Sequence, residues 1–132
     1  MLLLAIDFGT KNIGLAKAST EVDVVLPFGV VSNVDKVAAE AELIRIIKEQ
    51  NVDKIIVGLP FGLDGKENNN TIRIRDFVDR LKKEISTSFE FVSEVFSSQA
   101  GDRMGAGVSR DEKAAMVILQ GYLDKTGHDG NR

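Results

Sequence analysis

Three apolar runs follow one another with very little chain between them: LLLAIDF at Leu2 to Phe8, IGLAKAS at Ile13 to Ser19 and VVLPFGVVS at Val24 to Ser32. The first connection, GTKN from Gly9 to Asn12, has the glycine and asparagine of a tight turn. Connections this short join neighbouring antiparallel strands, because a parallel crossover needs a dozen or more residues. The chain is therefore expected to begin as an antiparallel meander. Pro27 cannot donate to a strand ladder, which predicts an edge or a bulge for the third run.

The hydrophobic period then changes. Val37, Ala41, Ile44 and Ile47 are three or four residues apart, which predicts a helix over about Asp35 to Gln50 with these residues on one face. KIIVGLP, Lys54 to Pro60, is a continuous β-branched run of the kind found in a strand covered on both faces. FGLDGKENNN, Phe61 to Asn70, reads as a polar loop. Ile74, Phe77, Val78, Leu81 and Ile85 predict a second amphipathic helix, and Phe89 to Val92 a fifth strand. The last helix is expected from Ser109 to about Lys125, because Ser109 and Glu112 have the spacing of a capping box. The order βββαβαβα predicts an α/β fold: a mixed five-stranded sheet with helices packed on both faces. One domain is expected over residues 1–126, with a frayed tail over 127–132.

Composition narrows the function classes. The 132 residues suffice for one domain with a real core, and 43% hydrophobic with 28% charged residues is ordinary for a globular protein. The chain has no cysteine, so disulfides and thiolate metal sites are excluded, which suits a reducing compartment such as the cytoplasm. MLLLAI meets Asp7 too early for a signal segment or a membrane span, so no membrane association is expected. A net charge of −3 argues against a protein that merely coats nucleic acid. Any contact with nucleic acid must be local.

Ligands of such sheets gather beyond the strand ends, so the acids there are the first candidates. Asp7 ends the first strand, Glu94 follows the fifth, and Asp111 lies in the first turn of the last helix. Hard divalent cations take oxygen ligands and keep several waters, so carboxylates from distant segments can hold one without histidine or cysteine. Each acid also has a plain structural explanation. Asp7 is costly to bury unless paired, Asp111 suits a helix N-terminus, and acids after strands like Glu94 are commonplace. Asp111 does share a helical face with Ala115, Ile118 and Tyr122, which turns it towards the sheet. With one histidine, His128 in the tail, hydrolysis through a Cys/His or Ser/His arrangement is not expected.

At this point the chain resembles the YqgF (RuvX) family of small bacterial RNase H-like nucleases related to the RuvC resolvases. AIDFGTKNIGLA, Ala5 to Ala16, is similar to the family's first-strand motif, and VDKIIVGLPFGLDG, Val52 to Gly65, to its central strand and loop. IRDFVDRL, Ile74 to Leu81, resembles its arginine-phenylalanine helix, and DEKAAMVILQGYL, Asp111 to Leu123, its final helix. The resemblance implies an RNase H-like fold and a Mg²⁺- or Mn²⁺-dependent endonuclease whose catalytic and metal-binding acids correspond to Asp7, Glu94 and Asp111, with Asp7 bridging the metals. It implies structured RNA as partner, through maturation of the small-subunit ribosomal RNA precursor on ribosomal particles, or branched DNA through Holliday-junction resolution. A monomer or weak homodimer is expected. One segment departs from the pattern. Where the family usually reads Asp-Glu-Arg-Leu-Ser-Thr, this chain reads Ser93, Glu94, Val95, Phe96, Ser97, Ser98. The missing acid and arginine open the alternative of a catalytically weakened protein that binds RNA or ribosomes.

Gly9, Thr10 and Lys11 in the first turn and Arg110 beside Asp111 are candidate phosphate contacts, and Arg75 sits at the family's matching position. Around Arg75 the segment Thr71 to Lys83 also carries Arg73, Arg80, Lys82 and Lys83 against Asp76 and Asp79, an excess that a solvated helix face explains equally well. DFGT also resembles the phosphate loop of actin-like and sugar-kinase ATPases, but this chain is too short for the two lobes that enclose their nucleotide.

Overall fold

The computed structural model describes residues 1–22, 24–60, 68–94 and 107–129, with side chains to residues 93 and 125 in the last two segments. The elements are β1 (Leu2–Phe8), β2 (Asn12–Ser19), β3 (Val25–Ser32), α1 (Lys36–Glu49), β4 (Lys54–Pro60), α2 (Asn69–Lys82), β5 (Ser88–Glu94) and α3 (Arg110–Asp129). They form one sheet in the order β3-β2-β1-β4-β5, with β1–β2 and β2–β3 antiparallel and β1–β4 and β4–β5 parallel. This is the expected mixed sheet. The Pro27 expectation also holds: β3 is an edge strand, and its register shifts where Phe28 and Gly29 stand opposite Leu15 alone. Gly29, at φ 99°, supplies the left-handed residue of that bulge.

Strand alternation divides the core into two layers. Leu4, Ile6, Ile13, Leu15, Ile55 and Val57 face α1 and α2. The opposite face presents Leu3, Ala5, Ala16, Ala18 and Ile56 to Ala115, Met116, Ile118, Leu119 and Tyr122 of α3. The residues of β1 and β2 on this second face are mostly small, which lets α3 settle close to the strands. Far from the acids, Lys54 Nζ reaches Glu90 Oε1 at 3.1 Å and the Tyr122 hydroxyl at 3.3 Å. These bonds, Glu90 first, raise Lys54 above its ordinary value and hold the later part of α3 against the sheet.

Three expectations are corrected. The buried face of α1 is Ala39, Leu43 and Ile47, whereas Val37 is 81% exposed and Ala41 is exposed. Burial follows the residues that join the cluster with Leu4 and Val52 rather than the apolar stripe expected. Next, α2 begins at Asn69, because Asn68 accepts from the amides of Asn70 and Thr71 while its own amide donates to the Thr71 hydroxyl. Finally, α3 continues to Asp129, beyond the end expected near Lys125.

Candidate functional site

Strands β1, β3, β4 and β5 run in one direction, so their C-terminal ends share one end of the sheet, and the helices following β3 and β4 start there. Asp7 is the penultimate residue of β1, partly buried, and on the same alternation as Leu3 and Ala5, the α3 side. Directly across the ladder from it stands Gly14 of β2. A Cβ added at Gly14 would fall on the carbonyl carbon and oxygen of Asp111 and within 3.0 Å of its Cβ. Cross-strand Cβ positions are about 4.5–5.5 Å apart, so the Cβ atoms of Asp7 and Asp111 are separated by no more than about 8.5 Å. The two aspartates therefore approach each other across the missing side chain of Gly14. The spacing suits a pair of hard oxygen donors that could share a divalent cation.

Glu94 closes β5 and pairs in register with Pro60. Ile6 pairs with Val57 and Val57 with Phe91, which puts Asp7 about level with Val92, two strand spacings away, and Glu94 two residues further along. With strands about 4.8 Å apart and a rise of about 3.3 Å per residue, the Cα atoms of Asp7 and Glu94 lie roughly 12 Å apart. The Glu94 side chain is outside the described residues, as are Val95 to Ser98 of the departing segment. Among the described residues no group of three or more His, Asp or Glu side chains is placed to hold a metal.

The start of α3 is fixed by an acid that sequence reasoning assigned only to capping. Glu112 Oε1 accepts from the Ser109 hydroxyl at 2.8 Å and the Ser109 amide at 3.3 Å, while Ser109 Oγ accepts from the Glu112 amide at 3.2 Å. This is the expected capping box. The second oxygen, Oε2, accepts from the Gly29 amide at 2.8 Å, tying α3 to the β3 bulge. Partial burial pushes the Glu112 carboxyl up, but the Ser109 hydroxyl and the Gly29 and Ser109 amides outweigh it and hold the carboxyl below its ordinary value. Asp111 is thus set between Gly14 beneath it and a tethered neighbour.

The turn beside Asp7 is equally constrained. A side chain at Gly9 would collide with the Asn12 carbonyl. Asn33, 3% exposed, donates from Nδ2 to the Gly9 carbonyl at 2.9 Å and from its amide to the Lys11 carbonyl at 2.8 Å. Thr10 and Lys11 are left exposed at the tip, and Arg110 is exposed at the start of α3. Arg75 lies on the other layer from Asp7 and Asp111. Its guanidinium lies 5.4 Å from the centre of the Phe91 ring, which packs on the α1/α2 face. Asn33 and the Gly14 contact escaped sequence reasoning, and the only local signals were a polar residue after a strand and a glycine inside an apolar one.

Comparison with known proteins agrees with the family resemblance and the fold. A protein of Maridesulfovibrio salexigens is 33% identical over 93% of this chain and 98% of its own length, and one of Dictyoglomus turgidum is 35% identical over 98% of each. Both are named "Putative pre-16S rRNA nuclease". Among solved structures, Thermus thermophilus RuvC matches with a TM-score of 0.70 at 12% identity, covering 96% of this chain and 97% of its own. The fowlpox virus resolvase bound to Holliday junction DNA matches with a TM-score of 0.65 at 12% identity, covering 96% and 99%. The fold is thus the RNase H-like one that the resemblance implied. The model of the family described as "RuvX: Holliday junction resolvase" matches residues 1–125, nearly the whole chain, and the protein belongs to that family.

Proposed function

We propose that the protein is a divalent-cation-dependent endonuclease that hydrolyses phosphodiester bonds in structured nucleic acid, with 5′-end processing of pre-16S rRNA in the cytoplasm as its physiological reaction. The observation that carries the reading is the approach of Asp7 and Asp111 across Gly14 on one face of the sheet. The names of the relatives and of the family support the substrate class. Asp7, Asp111 and Glu94 are the residues that would hold Mg²⁺ or Mn²⁺. A cation bound there supplies Lewis-acid stabilisation of the phosphoryl oxygens and an acidified water as nucleophile.

The chain's own part is positioning. Asp7 belongs to a strand paired on both sides, so its carboxylate is presented from rigid backbone. Asp111 is held by the Gly14 contact and the Glu112 tether. Thr10 and Lys11, on a turn pinned by Asn33, supply donors for a substrate phosphate.

The test is cleavage of an end-labelled pre-16S fragment and of a synthetic four-way DNA junction with Mg²⁺, Mn²⁺ or EDTA. Metal-dependent cleavage of the RNA, abolished in Asp7→Asn with an unchanged melting temperature, is the expected result. Cleavage of the junction alone would transfer the reading to resolution, the activity in the family's description. If neither substrate is cut while an active relative cuts in the same assay, the enzyme reading fails. Retained RNA binding without Mn²⁺ binding by calorimetry would then identify a weakened binding protein, consistent with Ser93 and Val95 replacing the family's acid and arginine.

A further inference from the structure

The sheet end that carries Asp7 and Asp111 has a concave surface on the opposite face. A cleft of about 440 Å³ lies beside α1 and α2, with Phe8, Thr10, Asn33, Lys36 and Arg73 among its walls. A smaller hollow of about 240 Å³ continues from Phe8, Thr10 and Arg73 to Gly9 and Pro60. Because these three residues line both, the two hollows form one groove across the end of β1. Phe8 and Asp7 are successive residues of a strand, so their side chains leave on opposite faces. One strand separates the groove from the acids.

The charges in the groove are unevenly matched. Arg80 is engaged by Glu40, with Nε 2.7 Å from Oε2. Of the other charged walls, Asp76 is the acid and Lys36 and Arg73 are the cations. Arg73 gives one hydrogen bond, Nη1 to Asn70 Oδ1 at 3.0 Å, which leaves most of its donors available. The Lys36 side chain makes no hydrogen bond or ion pair among the described residues. A groove with surplus positive charge, on a chain of net charge −3, favours anions locally. The basic run of α2 is thereby split: Arg73 and Arg80 turn to the groove, while Arg75 and Lys82 lie over Phe91 and Phe89 beside β5.

We infer that the groove formed by Thr10, Lys36 and Arg73 binds a backbone phosphate of the nucleic-acid strand on which the carboxylates act, after that strand has crossed the β1–β2 turn. The inference rests on the function proposed above and adds a contact on the opposite face of the sheet. Guanidinium and ammonium donors suit a phosphate, and the pinned Thr10 places a hydroxyl at the junction of the two hollows. A free mononucleotide would offer the same phosphate chemistry.

The full chain is tested by fluorescence anisotropy with a labelled pre-16S fragment in EDTA, where no cleavage occurs. Lys36→Ala with Arg73→Ala is expected to weaken binding about tenfold and to reduce the salt slope by about 1. Lys48→Ala, at the other end of the sheet, should change neither. A melting curve shows that the double variant is folded, and Lys36→Glu provides a second variant that leaves α2 intact. Amide NMR resonances of Thr10, Lys36 and Arg73 should shift with the RNA and not with adenosine monophosphate at the same phosphate concentration. Unchanged affinity and slope in the folded variants would overturn the inference, as would equal shifts with the mononucleotide. Metal-dependent cleavage by the wild type alongside those results would leave the proposed function standing. Loss of RNA binding in the variants with no cleavage by the wild type would have the opposite meaning: the groove would hold and the chemistry fail.

Discussion

Adding a single methyl group at Gly14 tests how the two aspartates are held. In Gly14→Ala the new Cβ would lie on the backbone carbonyl of Asp111 and within 3.0 Å of its Cβ. A backbone carbonyl has no alternative rotamer, so relief requires the first turn of α3 to withdraw by about 1 Å, an overpacking change that costs typically 1–3 kcal/mol. The tether of Glu112 to the Gly29 amide resists that withdrawal, which places the cost near the upper limit, about 3 kcal/mol. For a domain of this size that loss lowers the melting temperature by roughly 10 °C. It remains within the typical stability of about 5–15 kcal/mol, so the variant still folds. A displacement of about 1 Å at a catalytic group can reduce rate about 100-fold. Calorimetric melting and cleavage of the pre-16S fragment at 25 °C measure the two effects. A melting temperature within 2 °C of wild type, with undiminished cleavage, would refute the claim that Gly14 sets the position of Asp111.

The other predictions concern stability. Leu43→Ala should cost about 2–5 kcal/mol in denaturant unfolding, because Leu43 is fully buried, while Val37→Ala should stay within about 0.5 kcal/mol. The reverse order would restore the helical face expected from sequence. Ser109→Ala removes one cap and should cost about 1 kcal/mol. Glu112→Ala removes the cap partner and the acceptor for Gly29, and should cost about 2–3 kcal/mol. The folded Glu112 carboxyl titrates below its ordinary 4.5, so the unfolded chain binds this proton first as pH falls. Its contribution is therefore complete above 4.5 and is lost as pH falls through the folded value. Unfolding free energies should thus fall less steeply below pH 4.5 in Glu112→Gln than in wild type, and equal slopes would count against the tether.

Local features left the element order readable without the fold. The short connections around β1 to β3 required a meander, the continuous run at Lys54–Pro60 required a strand buried on both faces, and Ser109 with Glu112 marked the start of α3. These signals are local, because a turn, an alternation or a cap acts over a few residues whatever the rest of the chain does. The same locality explains the error on α1. Val37, Ala41, Ile44 and Ile47 do share a stripe, but burial is decided by the layer the helix meets, and that layer took Ala39, Leu43 and Ile47.

The site divides in the same way. Asp7, Glu94 and Asp111 could be nominated from their places at strand and helix ends and from the family's order of motifs. The nomination contained no distances. That Asp7 and Asp111 approach each other depends on the register of β1 with β2, which the short turn between them fixes, and on how close α3 comes to Gly14, which is settled by packing between segments about a hundred residues apart. The second oxygen of Glu112 found Gly29 only because the β3 bulge turns that amide towards α3. Arg75 and Arg73, two positions apart in one basic run, went to different sides of their helix, since a helix turns about 200° over two residues. Sequence by itself determined which elements form and which residues carry charge. The tertiary structure decided which of those charges meet, because proximity between distant segments is a property of the packed sheet and not of any one stretch of chain.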